Sequence, residues 1–193
     1  MKTLYIIPGY GESEKMRKYK HLKTVFAKCG YYAVFLTVDW KADASIRAVA
    51  TTVNKELKSY GDTKDTLLLG FSFGACIVAL VSKKHTFKQV LFCSISPYFK
   101  DDLSLWSLKT LQKIKKYFGD EVFPKSLMRE TFPAVKNQSA IFLVGSKEGE
   151  CIDRAKRAFD VWEGKKKLVV IPTANHNLTN IHYLRRIKRI LKP

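Results

Sequence analysis

Apolar positions along this chain follow two alternating patterns. Short continuous apolar runs alternate with longer stretches in which apolar residues return every third or fourth position, as on one helix face. Thr3 to Ile7 reads as a buried strand and leads into the loop Pro8-Gly9-Tyr10-Gly11. The next stretch predicts a helix with Tyr19, Leu22, Val25, Phe26 and Cys29 on one stripe, Glu12 or Ser13 as its cap and Gly30 just past its end. Tyr31 to Val38, rich in aromatic and β-branched residues, predicts a second strand. Asp43 to Ser59 predicts a helix that buries Ile46, Val49, Ala50, Val53 and Leu57, and Gly61 stops it. Thr66 to Leu69 predicts a buried third strand, and an apolar run to Val81 predicts a buried helix. Further strands are expected at Phe87–Ile95, within Lys136–Gly145, and at Lys167–Ile171. Cys151–Trp162 reads as a helix with Ile152, Ala155, Phe159 and Trp162 inward. Leu178–Leu191 reads as a last helix with Leu178, Ile181, Leu184, Ile187 and Leu191 inward.

This order has a topological meaning. Strands that alternate with helices pair in parallel through right-handed crossovers, with helices covering both faces. The predicted class is α/β, a three-layer α/β/α sandwich around a mostly parallel six-stranded sheet. The expected domain organisation is one domain over 1–193. One segment, Asp101 to Pro133, is longer than a single crossover needs and is rich in apolar residues such as Leu103, Trp106 and Phe118. It reads as a small helical cap over the strand ends, where inserted loops usually carry function, with an ordinary crossover helix plus a surface loop as the alternative.

Composition narrows the setting. The 46% hydrophobic fraction argues against disorder. Lys and Arg number 35 against 17 Asp and Glu, a formal charge of +18, which attracts anionic partners but says nothing of fold. The last helix carries Arg185, Arg186, Lys188, Arg189 and Lys192 off its apolar stripe; Lys165–Lys167 and Lys113, Lys115 and Lys116 form further clusters. Such clusters are ordinarily solvated faces; the sharper expectation is attraction of an anionic substrate, such as a CoA thioester or an acidic lipid. Cys29, Cys76, Cys93 and Cys151 lack metal-ligand spacing and are expected as free thiols. The apolar run before Pro8 is too short for a signal peptide, and no window reaches membrane-spanning length, so a cytoplasmic location is expected. Nucleic acid stays open as a partner on charge alone, but no zinc-ligand spacing, stacking signature or helix-turn-helix pattern supports it. Oligomeric state is not legible in the sequence.

The candidate chemistry centres on Gly70-Phe71-Ser72-Phe73-Gly74, between the third strand and the apolar helix. Small–x–Ser–x–small at a strand-to-helix junction is the nucleophile-elbow pattern: a sharp, strained turn leaves no room for bulk beside it. A serine hydroxyl needs a base within hydrogen-bond reach, and the base needs an orienting acid. His176, in the loop between the last strand and the last helix, is the candidate base; His21, His85 and His182 read as surface or packing residues, with His85 solvated. Glu148, beyond the fifth strand, is the first candidate acid, with Glu150 and Asp153 as alternatives and Asp101 or Asp102 further outside. A tetrahedral oxyanion needs two N–H donors. Those of Phe73, next after the nucleophile, and Tyr10 are the candidates, with Gly11 as substitute. Gly9, Gly11, Phe71, Tyr98 and Trp106, with Tyr10 and Phe73, are the candidate pocket residues.

Taken together, these motifs resemble those of the α/β-hydrolase fold family over essentially the whole chain. Pro8-Gly9-Tyr10-Gly11 resembles its oxyanion loop, Gly70–Gly74 its elbow, Gly145–Glu148 its acid loop, and Asn175-His176-Asn177 its histidine loop, in the family's order Ser, acid, His. Two departures stand out. The chain starts at the strand before the oxyanion loop, which leaves out the family's first two strands, and the acid is Glu where Asp is commoner. The resemblance implies a carboxylesterase- or thioesterase-like serine hydrolase. It would cleave a small to medium acyl ester or thioester through an acyl-serine, with no metal or organic cofactor. The competing expectation is a basic binding or scaffold protein on the same fold, without catalysis.

Overall fold

A computed structural model of the chain describes residues 1–40, 45–96, 112 and 131–191. The cap expected at 101–133 falls largely outside the described residues. So do Tyr98, Asp101, Asp102, Trp106, Phe118, Lys113, Lys115, Lys116 and Lys192.

The described elements are β1 (Lys2–Ile7), α1 (Arg17–Ala27), β2 (Tyr31–Phe35), α2 (Ile46–Ser59), β3 (Leu67–Phe71), α3 (Phe73–Val81), β4 (Gln89–Cys93), β5 (Ala140–Gly145), α4 (Glu150–Val161), β6 (Lys166–Ile171) and α5 (Ile181–Leu191). The strands form a six-stranded sheet in the order β2-β1-β3-β4-β5-β6, and every pairing in it is parallel. The predicted α/β class and three-layer arrangement are the observed ones.

Alternation along the strands splits the core in two. Tyr5, Ile7, Leu68, Val90, Phe92, Phe142 and Val144 face the cluster shared with α2, α3 and α4. Leu4, Ile6, Leu67, Leu69, Leu91, Cys93, Ile141 and Leu143 face the cluster shared with α1 and α5. Helix α3 is apolar on every side because it is buried on every side, save partly buried Leu80. The strand order reverses between β1 and β3. In open α/β sheets that switch point leaves a crevice at the carboxyl ends. Here the crevice falls between the loop after Ile7 and the turn after Phe71.

Several local expectations are corrected. Neither Glu12 nor Ser13 caps α1, whose N-cap position is Met16 with no side-chain cap bond. Glu12 instead turns back and accepts the Gly9 N–H. Helix α5 starts at Ile181 rather than Leu178, because Asn180 Oδ1 accepts the His182 N–H at 2.9 Å and so ends the preceding turn. Its buried stripe is Tyr183, Leu184, Ile187 and Leu191, which turns Ile181 outward at 53% exposure; Leu178 is buried ahead of the helix. Ala155 in α4 and Trp162 at its end are buried, and Ile152 and Phe159 pack inward against the same core as expected, though only partly buried. The buried residues of α4 also include Arg154, held by Glu150. His85 is half-buried rather than solvated. Burial, with the Lys58 and Lys84 charges, holds its pKa below the ordinary value.

Candidate active site

Ser72 sits between β3 and α3 with φ 55° and ψ −121°. A non-glycine residue held there costs about 1–3 kcal/mol and persists only where the surroundings enforce it. They do so here on both sides. The Ser72 N–H donates to Cys93 O at 2.9 Å, and Ser72 O accepts from the Ala75 N–H at 3.0 Å. A Cβ at Gly70 would lie 2.4 Å from Gly74 O, and one at Gly74 would lie 2.2 Å from Ile7 O. Bare glycine at 70 and 74 therefore lets α3 start against both its own strand and the end of β1.

The residues picked out around this turn meet across long separations. His176 Nε2 lies 3.0 Å from Ser72 Oγ. His176 Nδ1 lies 2.8 Å from Glu148 Oε2. Phe71, only 2% exposed, packs its ring 5.0 Å from the imidazole. The Glu148 side chain is fully buried, whereas that of His176 is 40% exposed. Glu148 Oε1 accepts the Gly145 N–H at 2.6 Å and the Ser94 hydroxyl at 2.9 Å. A Cβ on Gly145 would meet both Ala174 O and Glu148 Oε1, so this glycine lets the acid loop and the histidine loop touch. The alternative acids are engaged elsewhere: Glu150 with Arg154 at 2.9 Å and Asp153 with Lys156 at 3.3 Å.

Two residues of this network were not singled out in the sequence. Ser94, fully buried at φ 48°, donates to Glu148, and its Oγ lies 2.6 Å from the Tyr183 hydroxyl. Tyr183, fully buried on α5, also reaches Leu143 O at 2.8 Å. Each hydroxyl has one proton: Tyr183 donates to Leu143 O and Ser94 to Glu148, and the 2.6 Å between the two oxygens is the alternative route for either proton. The signal was faint: a serine closing the apolar run Gln89–Ile95, and a tyrosine inside a helical stripe.

The loop after β1 has its own support. Glu12 accepts the Gly9 N–H at 3.1 Å and is hydrogen-bonded to the Tyr19 hydroxyl and paired with Lys18. The Tyr10 ring lies 5.4 Å from that of Phe73 and 5.8 Å from that of Trp40, which seats this loop on the first residue of α3. Gly11 takes φ 69° with open space around it.

Electrostatics favour a charged imidazole. Burial alone pulls the His176 pKa down, but hydrogen bonds to Cys151 and Glu148, with their charges, outweigh it and lift the pKa to about 9. Among the described residues one donor group is close enough to hold a metal ion, Glu148, Cys151 and His176, with ligating atoms within 4.8 Å of one another. Two of those three are already joined by the hydrogen bond described above. In its neutral form, which the raised pKa confines to higher pH, the imidazole can draw a proton from the strained serine, and Glu148 stabilises the imidazolium that results.

Known proteins share this architecture. A family model described as an uncharacterised protein family, UPF0227, matches residues 3–192. No curated protein matches the sequence. Among solved structures, Est1E from Butyrivibrio proteoclasticus with ferulic acid bound is similar at TM-score 0.77 and 14% identity, covering 100% of this chain and 87% of that one. The α/β-hydrolase domain-containing protein 10 from mouse is similar at TM-score 0.75 and 10% identity, covering 98% and 87%. The RedJ thioesterase from the prodiginine pathway of Streptomyces coelicolor is similar at TM-score 0.69 and 13% identity, covering 98% and 84%. At these identities the likeness concerns the fold, which is that of the α/β hydrolases.

Proposed function

The chain belongs to the uncharacterised protein family UPF0227, and from the geometry of the site we propose that it is a serine hydrolase of carboxylic esters or thioesters. The observation that carries this reading is the continuous hydrogen-bonded chain Ser72–His176–Glu148, at 3.0 and 2.8 Å. It is mounted on a strained turn at the switch point of the sheet. That structural neighbours include an esterase and a thioesterase supports the choice of substrate class.

In the first half-reaction Ser72 Oγ attacks the substrate carbonyl carbon and its proton passes to His176 Nε2. The N–H groups of Tyr10 and Phe73 hold the oxyanion of the tetrahedral intermediate. His176 then returns the proton to the departing alcohol or thiol as the carbon–oxygen or carbon–sulfur bond breaks, leaving an acyl-serine. In the second half-reaction water attacks the acyl carbon and gives its proton to His176. His176 returns that proton to Ser72 Oγ as the Ser72–carbonyl bond breaks, and the carboxylic acid leaves. Glu148 orients the imidazole through Nδ1 and stabilises its charged form without taking the proton. Gly9, Gly11, Phe71, Tyr98 and Trp106 are assigned to the acyl pocket, sized for a small to medium group.

Ser72→Ala is expected to lower kcat on a p-nitrophenyl ester by about four to six orders of magnitude, as loss of a triad nucleophile does elsewhere. The same substitution should abolish labelling by a fluorophosphonate probe. Labelling that persists in Ser72→Ala would contradict the assignment. A series of p-nitrophenyl esters of rising chain length, run beside acyl thioesters, would define the acyl group.

A further inference from the structure

Helix α5 has two unlike faces. Tyr183, Leu184, Ile187 and Leu191 are buried against the sheet. His182, Arg185, Arg186 and Arg189 form a second stripe at spacing i, i+3, i+4, i+7. With Ile171 and Pro172 from the end of β6, these four line a concavity of about 280 Å³. Among the described residues, no carboxylate side chain lines it. Among the described residues, none of the ion pairs engages the three arginines.

Ordinary reasons for such charge do not account for the stripe. Cations complement a helix C-terminus, but that covers only Lys188 and Arg189 in the last turn. His182 and Arg185 lie nearer the positive end, where the first turn holds no acid, and Arg186 lies at the midpoint. Like charges one turn apart destabilise a helix by a few tenths of a kcal/mol per pair. Solubility needs no arginine in a chain already at +18 whose usual cation is lysine; only eight of its 35 basic residues are arginine, and three of those line this groove. Guanidinium differs from ammonium in presenting a planar fork that binds phosphate oxygens in pairs.

We propose that this groove is a binding site for a small ligand bearing phosphoryl groups, a diphosphate-sized anion held by Arg185, Arg186 and Arg189. The stripe from position 182 to 189 spans about 10 Å of helix axis. That length suits a compact dianion better than a long nucleic-acid backbone. The site lies against the edge strand β6, while Ser72 follows the central strand β3. None of its lining residues belongs to the proposed triad, so binding here and hydrolysis are measured separately.

The test is calorimetric titration of the whole chain with inorganic pyrophosphate at about 150 mM salt, near physiological ionic strength. Saturable one-site binding is expected. Arg185→Gln with Arg189→Gln should weaken it at least about tenfold, with circular dichroism confirming an unchanged fold. Lys165→Gln with Lys167→Gln removes the same charge elsewhere and should change it less than about twofold. Ser72→Ala should bind as the wild type does, so failure of the serine chemistry and failure of this site are read separately. No saturable binding, or equal losses in the two double variants, would overturn the proposal. So would arginine-dependent binding of duplex DNA or phosphatidate vesicles without any binding of pyrophosphate.

Discussion

Ser72 and His176 differ in how far sequence reasoning alone could reach. The serine is marked by its neighbours, since only a turn that excludes side chains needs glycine at 70 and 74. The histidine is marked only by its place after the last strand. What tuned it came from residues 25 and 28 positions away, Cys151 and Glu148, whose hydrogen bonds and charges lift its pKa to about 9. The sign of the consequence is definite. A base acts when unprotonated, so kcat/KM should rise with pH and inflect well above the ordinary imidazole value of about 6.5. Cys151→Ala removes one raising influence, so the inflection should move down and activity at neutral pH should rise. A pH–rate profile of both proteins checks it; an inflection unmoved in Cys151→Ala would remove the thiol from the account. The raised pKa also links to stability. His176 adds stability in full below about pH 6.5, and this is lost as the pH rises through about 9.

Elements set what single residues cannot. Glu148 is held from two of them: the loop that leaves β5 supplies the Gly145 N–H, and the end of β4 supplies Ser94, itself met by Tyr183 of α5. Ser94→Ala and Tyr183→Phe should each lower kcat about three- to tenfold, the worth of one hydrogen bond of about 0.5–1.5 kcal/mol. Each should also shift the pH inflection of kcat/KM, which a purely structural loss would leave in place. The close approach of α3 to β1 makes a second, steric prediction. Gly74→Ala should destabilise the fold by about 1–3 kcal/mol, the usual cost of overpacking, because the new methyl meets Ile7 O and Pro8 O. Urea unfolding of the variant measures it. Glu12 teaches the reverse lesson: its position ahead of a helix suggested a cap, but a buried tyrosine hydroxyl and a backbone N–H in the loop offered the carboxylate better partners.

For the whole molecule, charge and topology act separately. The +18 balance does not choose the fold, but its long-range field falls with ionic strength. If it draws in substrate, kcat/KM for an anionic ester should fall steeply with added salt, while that for a neutral ester of equal size should hold. Parallel salt responses for the two esters would leave the basic surface without a part in catalysis. No helix among the described residues is long and apolar enough to cross a membrane.

The order of elements, the parallel sheet, the two-sided core and the glycine-flanked turn were all legible in the sequence, because each follows from local periodicity or from sterics within a few residues. Which of three nearby acids meets the imidazole was only ranked there, with Glu148 first. Glu148, Glu150 and Asp153 are alike as loop and first-turn charges, and only the packing of β5 against β6 and α5 turns one of them inward and leaves the others to Arg154 and Lys156. The Ser94–Tyr183 contact and the arginine groove belong to the same class. They join residues that are neighbours only after the strands have paired, and no spacing along the chain encodes a distance across the sheet.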